Sequence, residues 1–178
     1  SANPFLFSIT AGNKFNFLGK DTSAANILGA QSVATYAASA SWIHVLIAWN
    51  LNTSTVDMYI NNVSDSNVLF NSNSTLDCTH TSHAIGGLDI SPFGNKFNGA
   101  MADFYYAPGQ YVDISVAANR YLFRDSITGK PVNLLLSGAP SPLVLQKSPA
   151  AVFGTNSSTG GDFVITGTLD VASTSPSD

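Results

Sequence analysis

The chain has 178 residues, a net charge of −4 and 44% hydrophobic residues, yet only 10% of its residues are charged, against roughly a quarter in an average globular domain. All eleven acidic residues are Asp and there is no Glu, while Ser (23), Thr (14) and Asn (16) together fill 53 positions. This disfavours a helical bundle, whose exposed faces want Glu, Lys and Arg. It also disfavours a nucleic-acid binder, which needs a basic excess, and excludes any mechanism that requires a glutamate.

The length suits one domain with a real core. Residues 5–9 read as a strand and 14–18 alternate as a second, with Ala11-Gly12-Asn13 as the turn between them. Residues 20–40 are small and polar, with a weak strand around Ile27-Leu28. Residues 42–49 are apolar on both faces, the pattern of a central strand covered on each side. Asn50–Ser54 reads as a loop. In residues 55–60, Val56, Met58 and Ile60 share one face. Asn61-Asn62 is a tight-turn pair, because Asn tolerates positive φ. Val68-Leu69-Phe70 is a short strand.

Residues 83–88 and 97–106 read as two further strands, and the small residues of 99–106 suggest close sheet packing. Asp113 or Ser115 can cap a short helix over 116–123, where Val116, Asn119, Arg120 and Phe123 share a side. Gly129-Lys130-Pro131 is a turn, and 143–146 and 162–169 close the series as strands. About ten short strands with turn signals roughly every 8–12 residues predict an all-β antiparallel sandwich. One domain spans 1–171, and 172–178 reads as a low-complexity tail. The chain opens on Ser1 rather than Met, as a processed chain or part of something longer would. No apolar run reaches the roughly 18 residues of a membrane span.

Cys78 is the single cysteine, so an intrachain disulfide and a Cys-based zinc site are excluded. His80, two residues on, is the nearest base to it, and an incidental thiol is the plainer reading. His44 lies in a strand as a base, a metal ligand or a buried hydrogen-bonded histidine. His80 and His83, with Asp77 and Asp89, offer cation ligands whose spacing matches no metal signature. Sugar binding needs an aromatic platform beside Asn or Asp, and Tyr36, Tyr59, Phe93, Asn95 and Tyr111, with Asp89 and Asn98, are the candidates. Core or subunit contacts are the alternative use of those aromatics. Arg120 and Arg124 are two of seven basic residues. Arg120 is expected to pair with a carboxylate such as Asp113 or Asp103. Asn52, Asn62, Asn73 and Asn156 match the glycosylation pattern, at a frequency expected by chance here.

Four pieces recur in order: Trp42-Ile43-His44-Val45, Met58-Tyr59-Ile60-Asn61-Asn62, Ile85-Gly86-Gly87 and Phe97-Asn98-Gly99-Ala100-Met101-Ala102-Asp103-Phe104. This ordered set resembles the laminin-G-like branch of the concanavalin A-like lectin/glucanase superfamily. Asn61-Asn62 stands where that branch carries Asp-Gly. Further on, Ala107–Asp113, Asn119-Arg120, Phe123, Gly129–Leu134 and Thr159–Phe163 resemble an extension of such domains in tailed-phage and prophage virion proteins.

The resemblance implies a two-sheet antiparallel jelly-roll β-sandwich, with Trp42, His44, Tyr59, Gly86, Gly99, Asp103 and Arg120 in structural roles. It places Ser1 inside the domain, so a family edge strand lies upstream, is replaced, or comes from another chain. It implies a structural or adhesive module of a virus particle, carried on the virion surface among other virion proteins. Such modules form homo-oligomers, commonly trimers, and some bind host-surface glycans. A free, secreted lectin module is the alternative. Calcium is the cofactor it allows, at oxygen-rich loops around Asp65, Asp89 and Asn95. The glycosidases of the superfamily use two Glu carboxylates, which this chain lacks, and no Asp pair replaces them on a predicted strand. A non-enzymatic role follows from that.

Overall fold

The computed structural model describes residues 5–79, 83–87, 96–147 and 152–176. They fall into two compact units, Ser1–Gly99 and Ala100–Asp178. Among the described residues the strands are antiparallel and there is one short α-helix, so the chain is all-β as its composition predicts.

In the first unit, β1 (Phe5–Ile9), β2 (Phe15–Lys20), β3 (Asn26–Gln31) and β7 (Asn67–Asn71) form a four-stranded sheet in the order β1-β2-β3-β7. A second sheet has the order β4-β5-β6, from β4 (Val45–Asn50), β5 (Thr55–Ile60) and β6 (Val63–Ser64). Alternation decides which side chains meet. Phe15 and Phe17 of β2 and Leu28 and Ala30 of β3 join Val56, Met58 and Ile60 of β5 in one buried cluster. Phe5, Phe17 and Trp49 bridge the sheets as an aromatic triangle, with centroids 4.9, 5.0 and 6.1 Å apart.

The hairpin turns follow the sequence reading. Asn61 (φ 49°) and Asn62 (φ 71°) both take positive φ. The Asn50–Ser54 loop contains a 3₁₀ turn, Leu51–Thr53, with Asn50 accepting from the Asn52 N–H at its start. Residues 42–49 do not form a central strand. β4 starts only at Val45, and among the described residues it pairs with β5 alone, leaving β5 in the middle. The weak strand at Ile27-Leu28 is in fact six residues long, with Ile27, Leu28, Gly29 and Ala30 all buried. Gly29 and Ala30 hide its apolar pattern because they carry so little side chain.

In the second unit, β8 (Phe104–Tyr106) pairs with β9 (Val144–Gln146), and α1 spans Ala117–Arg120. Ile114, Phe123, Val144 and Leu145 are buried, and the Tyr105 and Phe123 rings meet edge-on at 5.3 Å. The helix is shorter than the predicted 116–123, since residues 121–123 continue as turns. Neither Asp113 nor Ser115 caps it. Val116 holds the N-cap position, while Asp113 Oδ1 accepts from the N–H (3.0 Å) and Oγ (2.5 Å) of Ser115.

The 125–130 loop is a built turn. Asp125 Oδ1 accepts from the Ile127 and Thr128 N–H groups and from Thr128 Oγ1 (3.0, 2.6 and 2.9 Å). Gly129 sits at φ 71°, a conformation in which an L side chain is strained, and a Cβ there would also push on the Arg124 guanidinium.

Three predicted strands fail or shorten. Residues 83–87 contain none, with Gly86 at φ 83° breaking the extension, and Leu88 lies outside the described residues. Of 97–106 only Phe104–Tyr106 is strand, because Asp103 at φ 51° interrupts the run. Residues 162–169 are not strand, and Gly161 (φ 77°) and Gly167 (φ 93°) bend the chain at either end. Val164, whose side chain a sheet would cover, is 93% exposed.

Met58 is fully buried at the centre of β5, whereas Val63 is 68% exposed. Met58→Ala should destabilise the chain by about 2–5 kcal/mol, and Val63→Ala by less than about 0.5 kcal/mol. Urea unfolding followed by tryptophan fluorescence measures both, and equal losses would refute this core.

Candidate functional site

The outer face of the β4-β5-β6 sheet carries the best-placed predicted aromatic. β5 alternates strictly, so the burial of Val56, Met58 and Ile60 turns Thr55, Asp57 and Tyr59 to the opposite side. Tyr59 is half-buried there and lies opposite Leu46 on one flank and Ser64 on the other. Asp57, two residues along, lies opposite Ala48. An aromatic ring, a carboxylate and a hydroxyl share one face, which is the set a sugar ring requires.

Asp65, in the turn between β6 and β7, is built into the fold. It is 8% exposed and receives three hydrogen bonds. Oδ1 accepts from the Val33 and Ala34 N–H groups at 2.6 and 3.0 Å, and Oδ2 accepts from Tyr36 Oη at 2.5 Å. Its own N–H donates to Met58 O at 2.9 Å. Burial alone would raise the carboxyl pKa, but the bonds from Tyr36, Ala34 and Val33 and the charge of Lys14 outweigh it. The group is held below its ordinary 3.8. Burial, then the bond to Asp65, pushes the Tyr36 hydroxyl up to about 12. A cation at Asp65 would have to displace these donors. Among the described residues no group of three or more His, Cys, Asp or Glu side chains stands close enough to hold a metal ion.

The second unit has an open cleft of about 210 Å³, lined by Asp103, Pro131, Val132, Asn133, Leu134, Leu145 and Lys147. It is smaller than the roughly 300–1,000 Å³ of sites for drug-sized ligands. Among the described residues the lining offers a carboxylate, an ammonium and an amide for recognition. Asn133 and Lys147 were not singled out by the sequence, because neither belongs to any spaced motif.

The remaining predicted residues scatter. Asn98 is exposed in the first unit and Tyr111, 40% exposed, lies in the second. Asp89, Phe93, Asn95 and His80 lie outside the described residues, and His83 is exposed. Cys78 is an exposed free thiol. His44 is half-buried, and its backbone N–H donates to Asn61 Oδ1 at 2.9 Å. Trp42 precedes β4, Gly86 O accepts from the Phe97 N–H, and a Cβ on Gly99 would press on the Phe97 ring at 3.0 Å. Arg120 Nη1 donates to the Ile114 and Ser115 carbonyls at 2.7 and 2.9 Å, tying the helix to the turn before it.

Asn156, read from sequence as a chance glycosylation match, is buried. Its Oδ1 accepts from the Leu145 N–H (2.9 Å) and its Nδ2 donates to Leu143 O (3.0 Å), so it pins the flank of β9. Gln146, also buried, sets its side-chain amide against the Thr155 and Phe153 carbonyls. No described helix is long and apolar enough to cross a membrane.

Comparison with family models, with curated proteins and with solved structures finds no match for this chain.

The Asp65–Tyr36 pair dictates two pH limbs. A depressed carboxyl pKa stabilises the fold above about pH 3.8, and that contribution is lost as pH falls through the folded value. The raised Tyr36 pKa stabilises below pH 10 and is lost as pH rises towards about 12. Tyr36→Phe should cost about 1.5–3 kcal/mol at neutral pH and flatten the alkaline limb. Asp65→Asn should shrink the acid limb. Chemical denaturation across pH reads both, and limbs unchanged in the variants would contradict the assignment.

Proposed function

We propose that this chain is a non-enzymatic structural or adhesive module on the surface of a virus particle of the tailed-phage type. The observation that carries this reading is the ordered motif set from Trp42 to Phe104, with its extension through Phe163. The finer fold it proposes is the concanavalin A-like jelly roll. The two-sheet core of the first unit supports it. A non-enzymatic role is supported by the missing Glu, since the superfamily's known hydrolytic device uses two such carboxylates.

The surface supports a place in an assembly. Phe7, Val68 and Phe70 in the first unit and Ile127 and Leu136 in the second are 40–93% exposed on a chain with few charges, so association would cover apolar side chains at little electrostatic cost. The partners proposed are other virion proteins and further copies of the chain. Gold-labelled antibody against this chain should decorate purified particles in electron micrographs. Label confined to host cytoplasm would overturn the reading.

A lectin is the second reading, favoured by Tyr59 with Asp57 and Ser64 on the outer face of β5 and β6. It makes the chain a glycan binder, either on the particle or as a free secreted module. A glycan array should then show binding that Tyr59→Ala weakens about tenfold or more, the equivalent of roughly 1.4 kcal/mol. Absence of binding at millimolar sugar removes this reading and leaves the structural one standing.

A further inference from the structure

We infer that Asn98 is a site of spontaneous covalent modification, where the chain converts its own side-chain amide into aspartate and isoaspartate through an imide ring closed by the Gly99 nitrogen. The conversion is independent of both functional readings and proceeds whether or not the chain is carried on a virion or binds a sugar.

The chemistry is intramolecular. The backbone nitrogen that follows an asparagine gives up its proton to water or hydroxide and attacks the side-chain carbonyl carbon, Cγ. A C–N bond forms, the amide nitrogen leaves as ammonia, and a five-membered imide remains. Water then opens the ring at one of its two carbonyls. One opening leaves aspartate, and the other leaves isoaspartate, whose main chain runs through the former side-chain carbonyl. Water enters, ammonia leaves, and nothing is oxidised or reduced. Three conditions set the rate. The attacking nitrogen must be unobstructed, and glycine, without a Cβ, leaves it most open. Its N–H must not be held in a hydrogen bond. The asparagine side chain must be free to turn.

Of the chain's 16 Asn residues, Asn98 is the one followed by Gly. It also meets the other two conditions. Asn98 and Gly99 are both exposed and lie outside regular structure. Among the described residues no hydrogen bond holds the Asn98 side chain or the Gly99 N–H. The backbone is tethered one residue earlier, where the Phe97 N–H donates to Gly86 O at 2.7 Å.

The Asn-Ser pairs show the contrast. Asn71 Nδ2 donates to Ser54 O, and the Ser72 N–H donates to Ile27 O at 2.8 Å. Asn156 is buried with both ends of its amide bonded, and the Ser157 N–H donates to Leu145 O at 2.9 Å. In both pairs the attacking nitrogen and the amide it would attack are occupied. Asn73 is exposed like Asn98, but the Cβ of Ser74 crowds the nitrogen behind it. Conversion at Asn98 adds one negative charge to a chain of net charge −4, within a stretch, 97–102, that otherwise carries none.

The test holds the full chain at mildly alkaline pH and physiological temperature, then maps its peptides by mass spectrometry with aspartate and isoaspartate forms separated by chromatography. Conversion at Asn98 should run about tenfold or more faster than at Asn71, Asn73 or Asn156, and should quicken as pH rises. In urea, Asn71 and Asn156 should accelerate about tenfold or more, whereas Asn98 should stay within a few-fold of its folded rate. Asn98→Gln should abolish conversion, because the ring would have to be larger, and should leave the thermal midpoint unchanged at this exposed position. Gly99→Ala should slow conversion about tenfold or more. A Cβ at Gly99 meets the Phe97 ring at 3.0 Å, and that ring is 43% exposed with room to turn, so circular dichroism should be unchanged. An Asn98 that stays intact in the folded chain, or converts only in urea, would overturn the inference. So would a Gly99→Ala chain that converts as fast as the original.

Discussion

The first unit hangs on one buried charge. Asp65 is the single charged residue among the buried ones described, and an ionised carboxylate out of water is tolerated only when its lone pairs are engaged. Its partners come from residues 33–36, a segment without regular structure that runs on from β3. Held there, Tyr36 lays its ring against Phe15 at a centroid distance of 5.2 Å and donates its N–H to Asn13 O. Ser32, fully buried, ties the same segment to Phe15 by two further bonds, one through its hydroxyl and one through its N–H. The end of the core between the sheets is thus closed by a polar strap rather than by more apolar surface. The strap in turn is fixed by a residue of the β6–β7 turn, so both sheets depend on it.

How much of this was legible in the sequence follows from how local each signal is. β5 declares itself because Val56, Met58 and Ile60 alternate with polar residues and nothing else explains the pattern. Asn61 and Asn62 declare the next turn through their own backbone tolerance. β3 is hard to see in the sequence because Gly29 and Ala30 pack by being small, and smallness resembles a loop. The strand expected at 162–169 has good β residues, but strand formation is settled by a partner, and propensity says nothing about whether one is present. Asp103 and Gly86 interrupt their segments through positive φ, a property visible only once the backbone is drawn.

The candidate sites divide in the same way. Asp65 stood out as a carboxylate in an oxygen-rich loop, and its burial and saturation did not, because its partners are 29–32 residues away. Two of those partners are backbone N–H groups, which every non-proline residue possesses. Tyr59 was legible as to face, since alternation with Met58 and Ile60 fixes its side of the sheet. Asn133 and Lys147 meet Asp103 in the second unit's cleft only through folding. Asn156 errs in the opposite direction, since its three-residue pattern suggests a surface site while its burial beside β9 leaves no sign in the sequence.

The excess of Asp, Ser, Thr and Asn then acquires a physical meaning. Asp21, Asp77 and Asp113 each accept from the N–H and hydroxyl of a Ser or Thr two residues on, and Asp125 does the same with Thr128. Bonds from Ser23 and Ala25 hold the Asp21 carboxyl below its usual range, and those from Thr128 and Ile127 do the same for Asp125. These carboxylates stabilise the turns that join the short strands of the described residues. A charge occupied in this way sits at a bend and not along a strand face. The consequence is a pair of sheets whose edges and outer faces carry little net charge, which lowers the electrostatic cost of contact with another surface. Turn chemistry and readiness to associate are two results of one compositional choice, and a sugar-facing surface is not needed to account for it.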